Sequence, residues 1–198
     1  MGAQERDAEA RHAFAELLKT LPSQRVVVID ETSTHCDMYP RYARAPKGKR
    51  ALATARRNYG QNVSVIASLT LKGSGPVVAV TGAVNTAIFT SFIRDTLVPT
   101  LQPGDIVLMD NLRCHKATAV QAALDAAGAR LLFLPAYSPD FSPIENAFSK
   151  VKACLARLRP QTPDALYDAL HHAFDAISAR DAHAFFRAAG FSSLAQFT

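Results

Sequence analysis

The 198-residue chain is 48% hydrophobic and 20% charged, an ordinary globular composition that excludes extensive disorder and fibrous classes and allows one domain with a substantial core. Its apolar runs, such as VVVI, VLM and LLFL, fall far short of the ~20 residues a membrane span needs. The N-terminus MGAQERDAEARHAF lacks the apolar centre of a signal peptide, so a cytoplasmic protein with no membrane partner is expected. The net charge of +5 is concentrated in one place: Arg41 to Arg57 holds seven Lys or Arg and no acid, leaving −2 for the remainder. Such a segment is either a solvated loop or an arm that contacts phosphates. Cys36, Cys114 and Cys154 are odd in number and without a C-x-x-C pair, which argues for reduced thiols.

In chain order, about Gln4 to Lys19 reads as a helix with Ala8, Ala13, Phe14, Leu17 and Leu18 on one face, stopped by Pro22. QRVVVIDE, NVSVIASLTL and GPVVAVTGA read as three strands, the last two separated by the turn signal KGSG, and together predict an antiparallel meander. NTAIFTSFIRDTLVPTL predicts one helix capped by Asn85. PGDIVLMDN, KATAVQAALDAAG and ARLLFLP then read as strand, helix and strand, so strands four and five should run parallel. A long helix over about Pro143 to Leu158 follows, broken by Pro160 and Pro163, with two more over about Asp164 to Ile177 and Asp181 to Ala189. The fold class expected is α/β: a mixed five-stranded sheet, three antiparallel strands then two parallel, with helices on both faces, the layout of ribonuclease H-like nucleases. Residues 1–22 form an N-terminal helix, 23–160 the main domain, and 161–198 a C-terminal helical extension packed on it.

Three acids stand out. Asp30 closes the apolar run VVVID and Asp110 closes IVLMD, so each strand fixes a backbone while the carboxylate emerges at the carboxyl end, where ligands collect in α/β sheets. Glu145, in YSPDFSPIEN, follows Asp110 after 34 intervening residues, about the length of an excursion through helix, strand and loop back to the same rim. Ser142 and Glu145 also have the S-x-x-E spacing of a capping box, with Pro143 in the first turn, so Glu145 is either a local cap or the third corner of a distant site. Asp140 reads as a loop-turn acid. Three oxygen-donating carboxylates suit a hard cation, Mg²⁺ or Mn²⁺, and two such ions per site would serve phosphoryl displacement. Zinc is disfavoured because the histidines show no ligand spacing with the cysteines.

VVVIDET, LMDNLRCHK and YSPDFSPIENAFSKVK, in this order and spacing, resemble the catalytic motifs of the DDE transposases of the mariner-related superfamily, with the bacterial insertion-sequence-630 family as the nearest match. The resemblance covers about Gln24 to Leu158. It implies a ribonuclease H-like, metal-dependent enzyme that nicks DNA at transposon ends and joins the freed 3′-hydroxyl to target DNA, acting as a homodimer on the nucleoid of a bacterium. Asp30, Asp110 and Glu145 would be the catalytic and metal-binding triad. Asn111 and His115 match the family's D-N-x-x-x-H segment; Asn111 would support the second motif or cap its loop, and His115 would orient that motif or contact DNA. Lys152, on the helical face of Glu145, would meet a phosphate or lie solvated over the helix. Arg41, Arg44, Lys47, Lys49, Arg50, Arg56 and Arg57 would reach DNA beside the site.

Fewer than thirty residues precede Asp30, which leaves no room ahead of it for the helix-turn-helix domains usual in the family. A downstream frame of a frameshifted element, a truncated copy or an isolated catalytic domain is therefore expected. Two other classes compete with an active transposase domain: a catalytically inactive DNA-binding or assembly remnant, and a ribonuclease H-like nuclease of other specificity.

Overall fold

The computed structural model describes residues 7–36, 38, 44–52, 60–112 and 115–192. The first helix, α1 (Ala8–Thr20), starts at Asp7, whose carboxylate accepts from the amides of Glu9 and Ala10, and ends where Leu21 turns extended ahead of Pro22. Phe14 and Leu18 are buried and Leu17 partly so, while Ala8 and Ala13, expected on the same face, are exposed.

Strands β1 (Val26–Thr34), β2 (Val63–Thr70), β3 (Gly73–Thr81), β4 (Ile106–Met109) and β5 (Arg130–Phe133) form one sheet in the order β3-β2-β1-β4-β5. The first three pair antiparallel, and β1–β4 and β4–β5 pair parallel, so the sheet is mixed in the ribonuclease H-like manner. Strand alternation sends successive side chains to opposite faces. Val26, Val28, Ile106 and Leu108 enter a core shared with α1 and with α4 (Pro143–Leu158), α5 (Pro163–Asp175) and α6 (Ala179–Ala188). Val27, Ile29, Val107 and Met109 enter the other core, against α2 (Thr86–Ser91) and α3 (Thr118–Ala126).

Asn85 caps α2 as expected, its side-chain oxygen accepting from the Ile88 amide at 2.9 Å. The single helix predicted there is instead three pieces: α2, a π-helical turn over Phe92–Leu97 and a 3₁₀ turn over Val98–Thr100. The wider turn lets Phe92 and Leu97, five residues apart, share the buried face, which a helix of 3.6 residues per turn would separate. Helix α3 stops at Gly128, whose φ of 70° suits glycine. In α4, Ile144, Ala147, Phe148, Val151 and Leu155 make the buried stripe, at helical spacing, that presses the helix onto the sheet. None of the helices in the described residues is long and apolar enough to cross a membrane.

Candidate active site

The β1–β4 ladder pairs Val26, Val27 and Val28 with Ile106, Val107 and Leu108, so Asp30 and Asp110 each sit two residues past its last pair, on the face covered by α4. Glu145 occupies the first turn of α4 above them. The three acids line one pocket of about 420 Å³, walled by the 134–139 segment and Ser142. They also border a more open depression of about 470 Å³ on the β2 side, with Glu31, Ser64 and Val84. The sheet and α4 thus bring together the three carboxylates singled out in the sequence.

Their electrostatics are uneven. Burial pushes the Asp30 carboxyl up to about 7, opposed by the Glu31 amide that donates to its Oδ1 at 2.7 Å, and reinforced by the negative charges of Asp110, Glu145 and Glu31. Asp110 has a cationic neighbour: His115 Nδ1 lies 2.5 Å from its Oδ1, and the Leu112 amide donates to the same oxygen at 3.2 Å. His115 Nε2 faces Glu31 at 2.9 and 3.1 Å. Both ring nitrogens therefore meet carboxylate oxygens, which in ionised form only accept, so both carry hydrogens. Burial alone would lower the His115 pKa, but hydrogen bonds and charge from Asp110 and Glu31 outweigh it and raise it to about 10.

His115 is fully buried, with the Phe89 ring 4.2 Å from it between centroids. This corrects the DNA-contact expectation for that residue: a side chain without exposed surface meets no phosphate here, and what it touches is Asp110 and Glu31. Asn111 is exposed and lines the pocket beside Asp110. Among the described residues no three His, Cys, Asp or Glu side chains are drawn close enough to make a metal-binding group. Three like charges share the pocket, but Asp30 and Asp110 each direct one oxygen to protein donors rather than to one another.

The capping-box alternative for Glu145 is not what forms. Ser142 makes no side-chain cap, and its amide donates to the Pro139 carbonyl at 2.9 Å, so Glu145 has no amide to fall back on. Asp140 is held by Arg11 of α1, Nη2 to Oδ2 at 2.6 Å and Nη1 to Oδ1 at 3.1 Å. The same guanidinium donates to Ser138 Oγ at 2.6 Å and lies 4.5 Å from the centre of the Phe141 ring. Asp140 is thus a loop acid fastened from below, and α1 braces the wall through which the chain approaches Glu145.

Of the basic segment, Arg44, Lys47, Lys49 and Arg50 are exposed; Arg41, Arg56 and Arg57 lie outside the described residues. Lys47 and Gly48 occupy the tip of a turn closed by the Lys49 amide on the Pro46 carbonyl at 2.9 Å, with Gly48 at a φ of 82° that favours glycine. The connection leaves β1 at its carboxyl end, the end at which the acids collect. Lys152 is half-buried on α4, seven residues on from Glu145. Sequence reasoning passed over Glu31 and Arg11. The signal for Glu31 was strand alternation, since an acid adjacent to Asp30 must face the opposite, α2–α3 core and needs a partner there.

The family of DDE superfamily endonucleases matches residues 25–166. Among solved structures, the chain is similar to the Mos1 strand transfer complex, with 22% identity, a TM-score of 0.78, and coverage of 98% of this chain and 63% of that one. A Mos1 mariner paired-end complex with Mn gives 21% identity, a TM-score of 0.73, and coverage of 98% and 62%. The Mos1 transposase catalytic domain with raltegravir and Mg gives 21% identity, a TM-score of 0.68 and full coverage of both chains. This chain therefore spans less than two thirds of the longer Mos1 chains, and at these identities the likeness shows the fold. No curated protein matches.

Proposed function

Because the chain belongs to the DDE superfamily endonucleases, we propose that it is a transposase catalytic domain, related to the insertion-sequence-630 group, performing metal-dependent DNA strand cleavage and strand transfer at transposon ends. The observation that carries this reading is the convergence of Asp30, Asp110 and Glu145, from two adjacent strand ends and one helix, on a single pocket.

The donor set fits a hard divalent cation. Its three acids offer carboxylate oxygens, and the Asp30 carboxyl is pushed up to about 7 first by burial and then by the negative charges of Asp110, Glu145 and Glu31, a setting in which a cation would favour the ionised form. Asp30, Asp110 and Glu145 would hold Mg²⁺ or Mn²⁺, two ions in the full site. When bound, such ions activate an attacking oxygen and stabilise the leaving oxygen of an in-line displacement at phosphorus. The protein's own contribution is positional. Strands β1 and β4 fix the two aspartates, Pro143 and the braced loop set the first turn of α4 and hence Glu145, and Asn111 lies at the pocket edge for a polar contact. Arg44, Lys47, Lys49 and Arg50, with Arg41, Arg56 and Arg57, bring the anionic backbone of DNA towards an acidic pocket, and Lys152 serves a phosphate farther along α4. Two copies, one per transposon end, complete the active assembly.

Strand nicking of a labelled duplex carrying element ends tests the reading. Asp110→Ala is expected to abolish Mn²⁺-dependent nicking and strand transfer while circular dichroism shows a retained fold. Undiminished cleavage by that variant would refute it, and metal-independent, salt-sensitive DNA binding without any cleavage by the wild type would identify an inactive remnant instead.

A further inference from the structure

Glu31 has no place in the mechanism just described, yet its amide donates to Asp30 and its carboxylate meets His115, which in turn meets Asp110. We propose that Glu31 is a positioning residue: its main chain sets Asp30, and its carboxylate, acting through His115, sets Asp110. The proposal rests on the reading of Asp110 as a metal ligand.

The need for such a link follows from the sheet. Main-chain pairing between β1 and β4 ends at Val28 and Leu108, so no ladder hydrogen bond fixes one strand to the other at the level of the acids. Beyond that point β1 continues against β2 alone, through Glu31↔Ile66 to Thr34↔Val63, and β4 has ended at Met109. The spacing of Asp30 and Asp110 is left to side chains. Alternation directs Glu31 away from the pocket to the face of α2 and α3, where His115 arrives from the turn before α3. The path then runs from Glu31 Oε2 to His115 Nε2 at 2.9 Å, and from His115 Nδ1 to Asp110 Oδ1 at 2.5 Å. The Asp110 carbonyl, 3.3 Å from Nδ1, and the Phe89 ring hold the imidazole in that orientation. With 16% of its side chain exposed, Glu31 sits where an acid is tolerated only with a partner, and His115 supplies one.

The consequence is directional. Asp110 Oδ1 is taken by His115 and the Leu112 amide, and Asp30 Oδ1 by the Glu31 amide. Among the described residues Oδ2 of each aspartate has no hydrogen-bond partner, so each presents one oxygen to the pocket. Supports of this kind orient ligands around metals, and their loss typically weakens metal binding about 10- to 100-fold.

Calorimetric titration with Mn²⁺ alone, without DNA, tests the role in the full chain. Glu31→Ala is expected to bind Mn²⁺ about 10- to 100-fold more weakly. Glu31→Gln, which keeps an oxygen for His115 but loses the charge that strengthens the bond, should weaken binding by less, about 3- to 10-fold. A residue with a merely structural role would lower the Tm and leave the Mn²⁺ affinity alone. Wild-type affinity in folded Glu31→Ala, with binding lost in Asp110→Ala, overturns the role of Glu31 and leaves the proposed function standing. Wild-type affinity in Asp110→Ala overturns both. If Glu31→Ala does not fold, Glu31→Gln decides: unchanged affinity overturns the proposal and weakened affinity sustains it.

Discussion

A cavity of about 590 Å³ between β3 and α5 is larger than the pocket of about 420 Å³ at the carboxyl ends of β1 and β4, yet the smaller one gathers Asp30, Asp110 and Glu145. Of the residues lining the larger, Tyr167 reaches out to Thr81, Oη to Oγ1 at 3.1 Å, and His171 Nδ1 is 2.9 Å from Asp175 Oδ2. In the smaller, three carboxylates face one space and one of them is driven towards its neutral form. Unresolved charge, not volume, distinguishes the site, because leaving acids together in a part-buried place costs stability unless something else repays it.

The strongest way to break that contrast is Asp30→Asn. Under the proposed function, in which Asp30 would hold a metal ion, the change should lower cleavage by about 10³-fold or more, since the charge stabilisation involved would be of the order of several kcal/mol. The same change should stabilise the metal-free protein in chelator. The folded pKa of Asp30, about 7, lies above its ordinary 3.8, so the native state binds the extra proton, and ionisation subtracts stability as pH rises between those values. The gain in Tm over wild type should be full above pH 7 and absent below pH 4; a gain independent of pH would show that the acid is not under charge stress.

Next in size, replacing Arg44, Lys47, Lys49 and Arg50 together by Ala should weaken duplex binding without regard to sequence, and flatten the dependence of log K on log salt by about 0.9 for each phosphate no longer neutralised. Fluorescence anisotropy at several salt concentrations reads this; an unchanged slope would return the segment to a solvated loop. A smaller effect is expected of Arg11→Ala, about 1 kcal/mol of stability by denaturant titration, because the ion pair with Asp140 is half-exposed although reinforced by the Phe141 ring. Smallest of all, Tyr167→Phe in the larger cavity should alter stability by less than about 1 kcal/mol and leave Mn²⁺-dependent cleavage within about twofold. A large loss of cleavage there would mean that the second cavity also serves the reaction.

Most of the fold was legible because it rests on patterns with one physical cause each. Apolar β-branched runs became strands, Asn85 became a cap, and the stripe of α4 became a buried face. Asp30 and Asp110 could be picked out because each ends such a run. What escaped was set by tertiary partners. The π-helical turn at Phe92–Leu97 answers to which side chains the α2–α3 core needs, which local spacing does not encode. The S-x-x-E pattern suggested a cap, but the Pro139 carbonyl claims the Ser142 amide. The D-N-x-x-x-H segment left His115 either to orient the second motif or to contact DNA; that it is buried and faces Glu31, 84 positions away, was not encoded locally. Asp140 had no visible role until Arg11, 129 positions distant, was seen to hold it.

Arg11 also changes how the first helix should be regarded. A boundary near residue 22 separates α1 from the sheet in sequence, but mechanically the helix is a strut: Phe14 and Leu18 are seated in the core, and the guanidinium grips the turn that leads into α4. Tilting or withdrawing α1 would slacken that turn and widen the range of positions open to Glu145. Any load placed on the N-terminal helix is therefore felt at the third carboxylate before it reaches either aspartate, whose strands lie in the interior of the sheet.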